Sequence, residues 1–347
     1  MPGAAGSAAS SRIARLPFFY GVVIVGVNTA VRTHKCFAQA NLFTFAVPPM
    51  LDDTGLSRAT FSSVYGAATF GASFLQPLMG RQVDKYGNRR VMPLALLALG
   101  ASLAAMTAGS VAPAPAVPGL LLGSWLVMRT TGFAIDNYAA ANINQWYAER
   151  RGQVMAISNI ASQLCQGLVY AQLYERGVER FGWEATQLAG TVGAVLLALV
   201  AAVTLRHTPE EVGCWPDGRP PGGIGDGSGE EEESLLGSEG DPEKATRGIA
   251  STTTSRDMTL AEAIRTRTLW LLGLNSFALC TIMAGTDLHL MSILLEGLAA
   301  AEGSAGGGGG GGAGDLSVAT LMYIPQTLTI CVVSLYFGRA FDKGLEP

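Results

Sequence analysis

Long uncharged runs alternate with short charged ones along this chain. From Thr60 to Met79, and again from Val91 to Leu126, no side chain is charged. Between them Gly80–Arg90 carries Arg81, Lys85, Arg89 and Arg90 against Asp84 alone. About 20 apolar residues rising 1.5 Å each cross about 30 Å of hydrocarbon, so such runs predict helices that span a bilayer. Six further predominantly apolar runs, at 119–143, 153–174, 185–205, 268–298, 316–337 and 18–50, are long enough as well, the first, fourth and last with charged side chains inside them. The run at 18–50 is interrupted by Arg32-Thr33-His34-Lys35, and neither flank alone is long enough to cross. It predicts one long tilted helix or, alternatively, a broken or re-entrant one. The basic segments 81–90 and 146–152, with 206–265 and 338–343, then fall on one face together with the N-terminus, the cytoplasmic face by the positive-inside rule. The expectation is an all-α membrane protein with about eight transmembrane helices.

Composition agrees. Charged residues are 14% of the chain and hydrophobic ones 49%, with a mean hydropathy of +0.31; soluble globules carry about 25% charged residues. The net charge of −4 is unevenly placed: 207–258 holds 12 acidic and 4 basic side chains, leaving 19 basic against 15 acidic elsewhere. Nothing in that balance suits nucleic acid. Residues 206–265, with Gly/Pro clusters and the run Glu230–Glu233, read as a disordered acidic cytoplasmic linker. The linker separates a six-helix half at 18–205 from a partial second half at 266–347, and 1–17 reads as a cytoplasmic tail. Cys36, Cys165, Cys214, Cys280 and Cys331 have no metal-like spacing and read as small core residues. No cofactor or metal is expected. No nucleophile–base–acid pattern appears either, so an enzyme is not expected.

The segment Gly80-Arg81-Gln82-Val83-Asp84-Lys85-Tyr86-Gly87-Asn88-Arg89-Arg90 resembles the signature between helices 2 and 3 of the major facilitator superfamily. A reduced copy is Gly338-Arg339-Ala340-Phe341-Asp342-Lys343. Leu56-Ser57-Arg58-Ala59-Thr60 precedes the first and Leu316-Ser317-Val318-Ala319-Thr320 the second, the layout of a transporter with two related halves. Trp146-Tyr147-x-x-Arg150-Arg151-Gly152, Phe181-Gly182-Trp183 and Pro209-Glu210-x-x-Gly213-x-x-Pro216-Asp217-Gly218 are similar to the monocarboxylate transporter and oxalate/formate antiporter branch. Thr259-Leu260-x-Glu262-Ala263, followed by Leu269-Trp270, is similar to that branch's entry to helix 7. The resemblance implies twelve helices, so an end after the eighth is expected to reflect a truncated gene model or fragment. It also implies that Gly80, Arg81, Asp84, Lys85, Gly87, Arg89 and Arg90, with Gly338, Arg339, Asp342 and Lys343, form a gate latch.

Ionisable groups at membrane depth are costly unless paired or hydrated, which makes them functional candidates. Asn28, Arg32, Lys35 and Gln39 recur at helical spacing on the first span, a cationic stripe suited to a carboxylate; snorkelling to an interface is the alternative. Asn159, Gln163, Gln166 and Tyr170 form a hydrogen-bonding stripe on the fifth, of which Gln163, Gln166 and Tyr170 join the candidate substrate set, with interhelical glue the alternative. Arg129 with Asp136 on the fourth span, seven apart, and Asp287 with His289 on the seventh are candidates for proton coupling, or for a structural pair and a structural histidine. The eighth span lacks the Asp and Arg that the resemblance would place there. The reading is a secondary active carrier of small organic anions, monocarboxylate- or oxalate-like, working by alternating access with protons as candidate partners. The alternative is a non-transporting membrane sensor or partner-binding protein, or a carrier's truncated relic.

Overall fold

The computed structural model describes residues 18–218, 262, 264–275, 278, 328–334 and 336, with the side chains of 40 and 41 left aside. The chain divides into two units, 1–220 with 291–347, and 221–290. In the second unit a helix covers 267–275, and Trp270 Nε1 donates to the Ile264 carbonyl at 2.8 Å.

The first unit is helical throughout its described part. α1 (Gly21–His34) passes into a tight turn of 3-10 helix over Lys35–Ala38 and stops at Gln39, whose φ of −98° and ψ of 144° are extended. The short helices α2 (Ala40–Phe43) and α3 (Val47–Thr54) follow. The first span is therefore broken, and the single long helix is not formed. α4 (Arg58–Tyr86) starts at Ser57, whose side chain accepts the Thr60 N–H and satisfies one orphan donor. α5 is Asn88–Thr107 and α6 is Val117–Trp146. α7 (Arg151–Leu164) continues through one wide π turn, Cys165–Tyr170, into α8 (Ala171–Thr204).

Two of the expected loops shrink to single glycines. The charged segment between α4 and α5 is mostly helix: Arg81, Asp84 and Lys85 sit on the last turns of α4, Arg89 and Arg90 on the first turn of α5. Only Gly87 leaves helical geometry, at φ 74° and ψ 156°. α8 likewise bends at Gly182, φ 85° and ψ 164°, inside the segment 175–184 that separates the runs 153–174 and 185–205. Both glycines occupy a backbone region that essentially only glycine adopts. Charged residues extend these helices because helix termini in water tolerate charge; a polar composition does not by itself make a loop. Around the Gly182 corner Gln187 Nε2 donates to Tyr174 OH at 2.7 Å, and Trp183 Nε1 donates to Asp53 Oδ2 at 2.6 Å.

α6 is the hub. α4, α5 and α1 all pack on it, while α5 also packs along α8. Trp125 of α6 is fully buried against Phe61, with ring centroids 4.8 Å apart, and Phe43, and its Nε1 donates to Met106 Sδ at 3.1 Å. Alongside this apolar core, polar side chains are buried and large apolar ones face outward. Asn28 and Gln187 are 0% exposed, whereas Phe70 is 69% and Leu199 61% exposed. An outward apolar surface with polar groups inside suits lipid, where exposed hydrocarbon carries no cost and unpaired polar groups do. Of the cysteines, Cys36 is buried and Cys165 exposed, so the latter is not the core residue expected. Among the described residues two helical stretches, 88–110 and 151–204, meet a length-and-hydropathy criterion for crossing. α4 and α6 are long enough, but Gly, Ser, Thr and Asn lower their mean hydropathy.

Candidate functional site

The break in α1 is set by its neighbours. Gly190 on α8 leaves room for the Phe37 ring, to which a Cβ there would come within 2.6 Å. Gly193 does the same for His34, and Gly132 on α6 for Ala38 at 3.0 Å. Three glycines on two helices thus form a notch that holds His34–Ala38. His34 Nε2 donates to the Gly190 carbonyl at 2.9 Å, and Phe37 packs edge-on to Tyr170 and Tyr174.

Ending a helix inside the protein strands carbonyl groups that need donors. Gln166 Nε2, from the π turn, donates to the Arg32 carbonyl at 3.1 Å. Arg129 Nη1 donates to the Ala38 carbonyl at 3.0 Å, with its guanidinium 4.5 Å from the Phe133 ring centroid. The C-terminal end of α1 is the negative end of its dipole, which favours Arg32 in its last turn and Lys35 just after it.

Arg32 and Lys35 both reach Asp136. Arg32 Nε lies 3.2 Å from Asp136 Oδ1, and the Lys35 ammonium contacts Asp136 Oδ2. Arg32 Nη1 also donates to Ser158 Oγ at 3.5 Å. The cations are largely enclosed, their side chains 15% and 10% exposed against 30% for Asp136. They line a cavity of about 350 Å³ shared with Gln39, Asn159, Gln163 and Gln166. Ser162, Ile330 and Ser334 also line it. One wall is pinned by a hydroxyl ladder between α1 and α7: Thr29 Oγ1 and Ser158 Oγ at 2.8 Å, Thr33 Oγ1 donating to Ser162 Oγ at 3.3 Å. Gln166 Oε1 is buried without a partner among the described residues. A π turn in a helix shifts the register of the side chains after it, and such turns recur at functional sites.

Of the residues singled out from the sequence, Arg32, Lys35, Gln39, Gln163, Gln166 and Asp136 meet at this cavity. Asn28 does not; it is buried one turn below and donates to Asn142 Oδ1 at 2.9 Å. Tyr170 packs on His34 and Phe37 instead. Arg129 caps the break and does not pair with Asp136 although both lie on α6. Ser158 and Ser162 went unremarked; their spacing with Gln166, four and eight residues along one helical face, was the available signal.

Arg81, Asp84, Lys85, Arg89 and Arg90 are exposed at the α4–α5 corner. Asp84 makes no ion pair among the described residues. Asn88 holds the corner: its Nδ2 donates to the Tyr138 carbonyl at 2.7 Å and its backbone N–H to His207 Nδ1 at 3.3 Å. The segment after α8 straps the same end, with Asn142 Nδ2 donating to the Arg206 carbonyl at 2.8 Å and Asp217 Oδ2 accepting the Ala148 and Glu149 N–H groups. Asp287, His289, Gly338, Arg339, Asp342 and Lys343 lie outside the described residues.

Among known proteins, the 4-hydroxybenzoate transporter PcaK of Pseudomonas aeruginosa is 29% identical over 171 residues, 48% of this chain. The chain spans 35% of that relative's length. The model of the Major Facilitator Superfamily matches residues 36–345. The match begins just after α1 and runs through α2–α8, and the chain belongs to that superfamily of multi-pass integral membrane proteins.

Proposed function

We propose that this chain belongs to a secondary carrier that moves small organic anions by alternating access. The observation that carries the reading is the sharing of one carboxylate, Asp136, by two enclosed cations, Arg32 and Lys35, at a cavity of about 350 Å³. Two cations at membrane depth are costly, and one carboxylate offsets only part of that cost. A bound organic carboxylate supplies the rest, and arginine can grip it through two parallel N–H donors. Gln39, Asn159, Gln163 and Gln166 offer donors and acceptors to the remainder of a small cargo. The name of the Pseudomonas relative, whose cargo is an aromatic carboxylate, supports the same class. Monocarboxylate- or oxalate-like anions are the proposed cargo.

In this reading 18–205 is one half of the carrier, 206–265 the linker and 266–347 part of the other half. The basic corner Arg81–Arg90 and its copy at 338–343 act as latches biasing two states. Asp136 is the proposed proton-coupling group, with Arg129, Asp287 and His289 the further candidates. The test is uptake of labelled pyruvate, formate, oxalate and 4-hydroxybenzoate into proteoliposomes. Arg32→Ala and Lys35→Ala are expected to lower uptake about tenfold or more, as loss of a charge-assisted contact does. Uptake that neither substitution changes would remove the cavity from the mechanism.

A further inference from the structure

We infer that Asp136 sets the valence of the cargo, selecting monoanions over dianions. The inference rests on the carrier reading and refines it. Among the described residues that line the cavity, the ionisable side chains are Arg32, Lys35 and Asp136. Two positive charges and one negative leave the empty cavity with a single uncompensated positive charge. Asp136 lies against both cations, so in its ionised form it occupies the place of a cargo carboxylate and serves as their counter-charge.

The donors are not exhausted by it. Arg32 uses Nε on Asp136 and Nη1 on Ser158, leaving its Nη2 edge without a partner among the described residues. Lys35 has three donor hydrogens and gives one to Asp136. One carboxylate can therefore enter beside Asp136, take these donors and bring the cavity to neutrality. A second carboxylate on the same cargo would find no remaining cation in this set. It would leave net negative charge in a low-dielectric cavity, with Asp136 as an additional repelling neighbour. The amides that share the lining, Gln39, Asn159, Gln163 and Gln166, are neutral and cannot supply that charge. They suit a hydroxyl or carbonyl at the far end of a monoanion.

The experiment measures ion valence directly, on the full chain purified in detergent. Titration calorimetry compares pyruvate with oxalate, and 4-hydroxybenzoate with terephthalate, pairs of similar size that differ by one carboxylate. The wild-type chain is expected to prefer each monoanion by about tenfold or more. Asp136→Asn raises the cavity charge by one and is expected to shift both preferences toward the dianion by about tenfold, or about 1.4 kcal/mol. Each preference is a ratio within one sample, so a reduced folded fraction does not alter it. Asp136→Glu, which keeps the charge, retains the monoanion preference. So does Lys35→Gln/Asp136→Asn, in which the net charge is again one. If Asp136→Asn yields no folded protein, Arg32→Gln replaces it: the cavity becomes neutral, and monoanion affinity falls about tenfold.

Unchanged ratios in Asp136→Asn, a wild-type preference for dianions, or wild-type affinity in Arg32→Gln overturns the inference and leaves the carrier reading standing. Absence of any carboxylate binding by the wild-type chain overturns both.

Discussion

The contact of α1 with α7 and that of α5 with α8 are both helix pairs inside one bundle, built from opposite materials. α5 and α8 meet through small side chains: Gly100 faces Ala194, a Cβ on Gly100 would lie 3.4 Å from it, and Ala198 and Ala201 are buried nearby. Both helices run without a break along this contact, and Thr191 Oγ1 ties them by donating to the Gly100 carbonyl at 3.1 Å. α1 and α7 meet through hydroxyls, amides and a guanidinium, and both lose regular helix there, α1 at Lys35–Gln39 and α7 at Cys165–Tyr170. In lipid, close packing of small residues holds helices together without any polar group. Two helices in lipid do not need a polar interface to stay together, and this one carries the paired cations and the cavity. Its irregular backbone is tolerated because it faces protein and cavity instead of lipid.

The same substitution in each region tests the contrast most strongly. Gly190→Ala drives a Cβ into the Phe37 ring and is expected to destabilise by about 1–3 kcal/mol, displacing Lys35 with the break. Gly100→Ala, with neighbours at ordinary contact distance, is expected to stay within about 1 kcal/mol of wild type, the better helix propensity of alanine offsetting a tight fit. Thermal unfolding in detergent compares them, and equal losses would remove the distinction between a notch and a packed seam.

The corners come next. Gly87→Ala and Gly182→Ala both force a side chain into a glycine-only region and are each expected to cost about 1–3 kcal/mol. Gly87→Ala also meets the His207 ring at 3.3 Å, so it should be the worse of the two. If both variants melt as wild type does, the hairpins are not fixed by these residues.

The smallest effect belongs to the hydroxyl ladder. Ser158→Ala removes an interhelical contact to Thr29 and one to Arg32, and is expected to cost about 0.6 kcal/mol, the average for such bonds in a membrane bundle. A cost above that of Gly190→Ala would make the ladder, and not the glycine notch, the support of the break.

Much of this was legible in the chain because the bilayer imposes few solutions. Uncharged runs of spanning length read as helices, and the placement of α4, α5 and α6 followed. Arg32, Lys35, Gln39, Gln163 and Gln166 stood out because a polar side chain inside such a run is expensive. Periodicity groups residues only along a single helix. It set Arg129 beside Asp136 as neighbours on α6, whereas the structure turns Asp136 to α1 and uses Arg129 to cap the break. It placed Asn28 and Tyr170 with their stripes, though Asn28 is taken up by Asn142 and Tyr170, at the end of the wide turn, by His34 and Phe37. The corners were misjudged for a related reason, since charge was read as loop where a single glycine suffices.

The sequence alone indicated a chain suited to lipid and singled out the polar side chains that lie within its apolar runs. Those are properties of composition and solvent, and each residue carries them wherever it lands. Only the tertiary structure decided that Asp136 answers both Arg32 and Lys35, that three glycines on two other helices hold the broken turn, and that polar residues from the first span, α6 and α7 face one cavity. Such facts depend on which helices become neighbours, and that is settled by packing across the whole bundle, not by any local stretch of the chain.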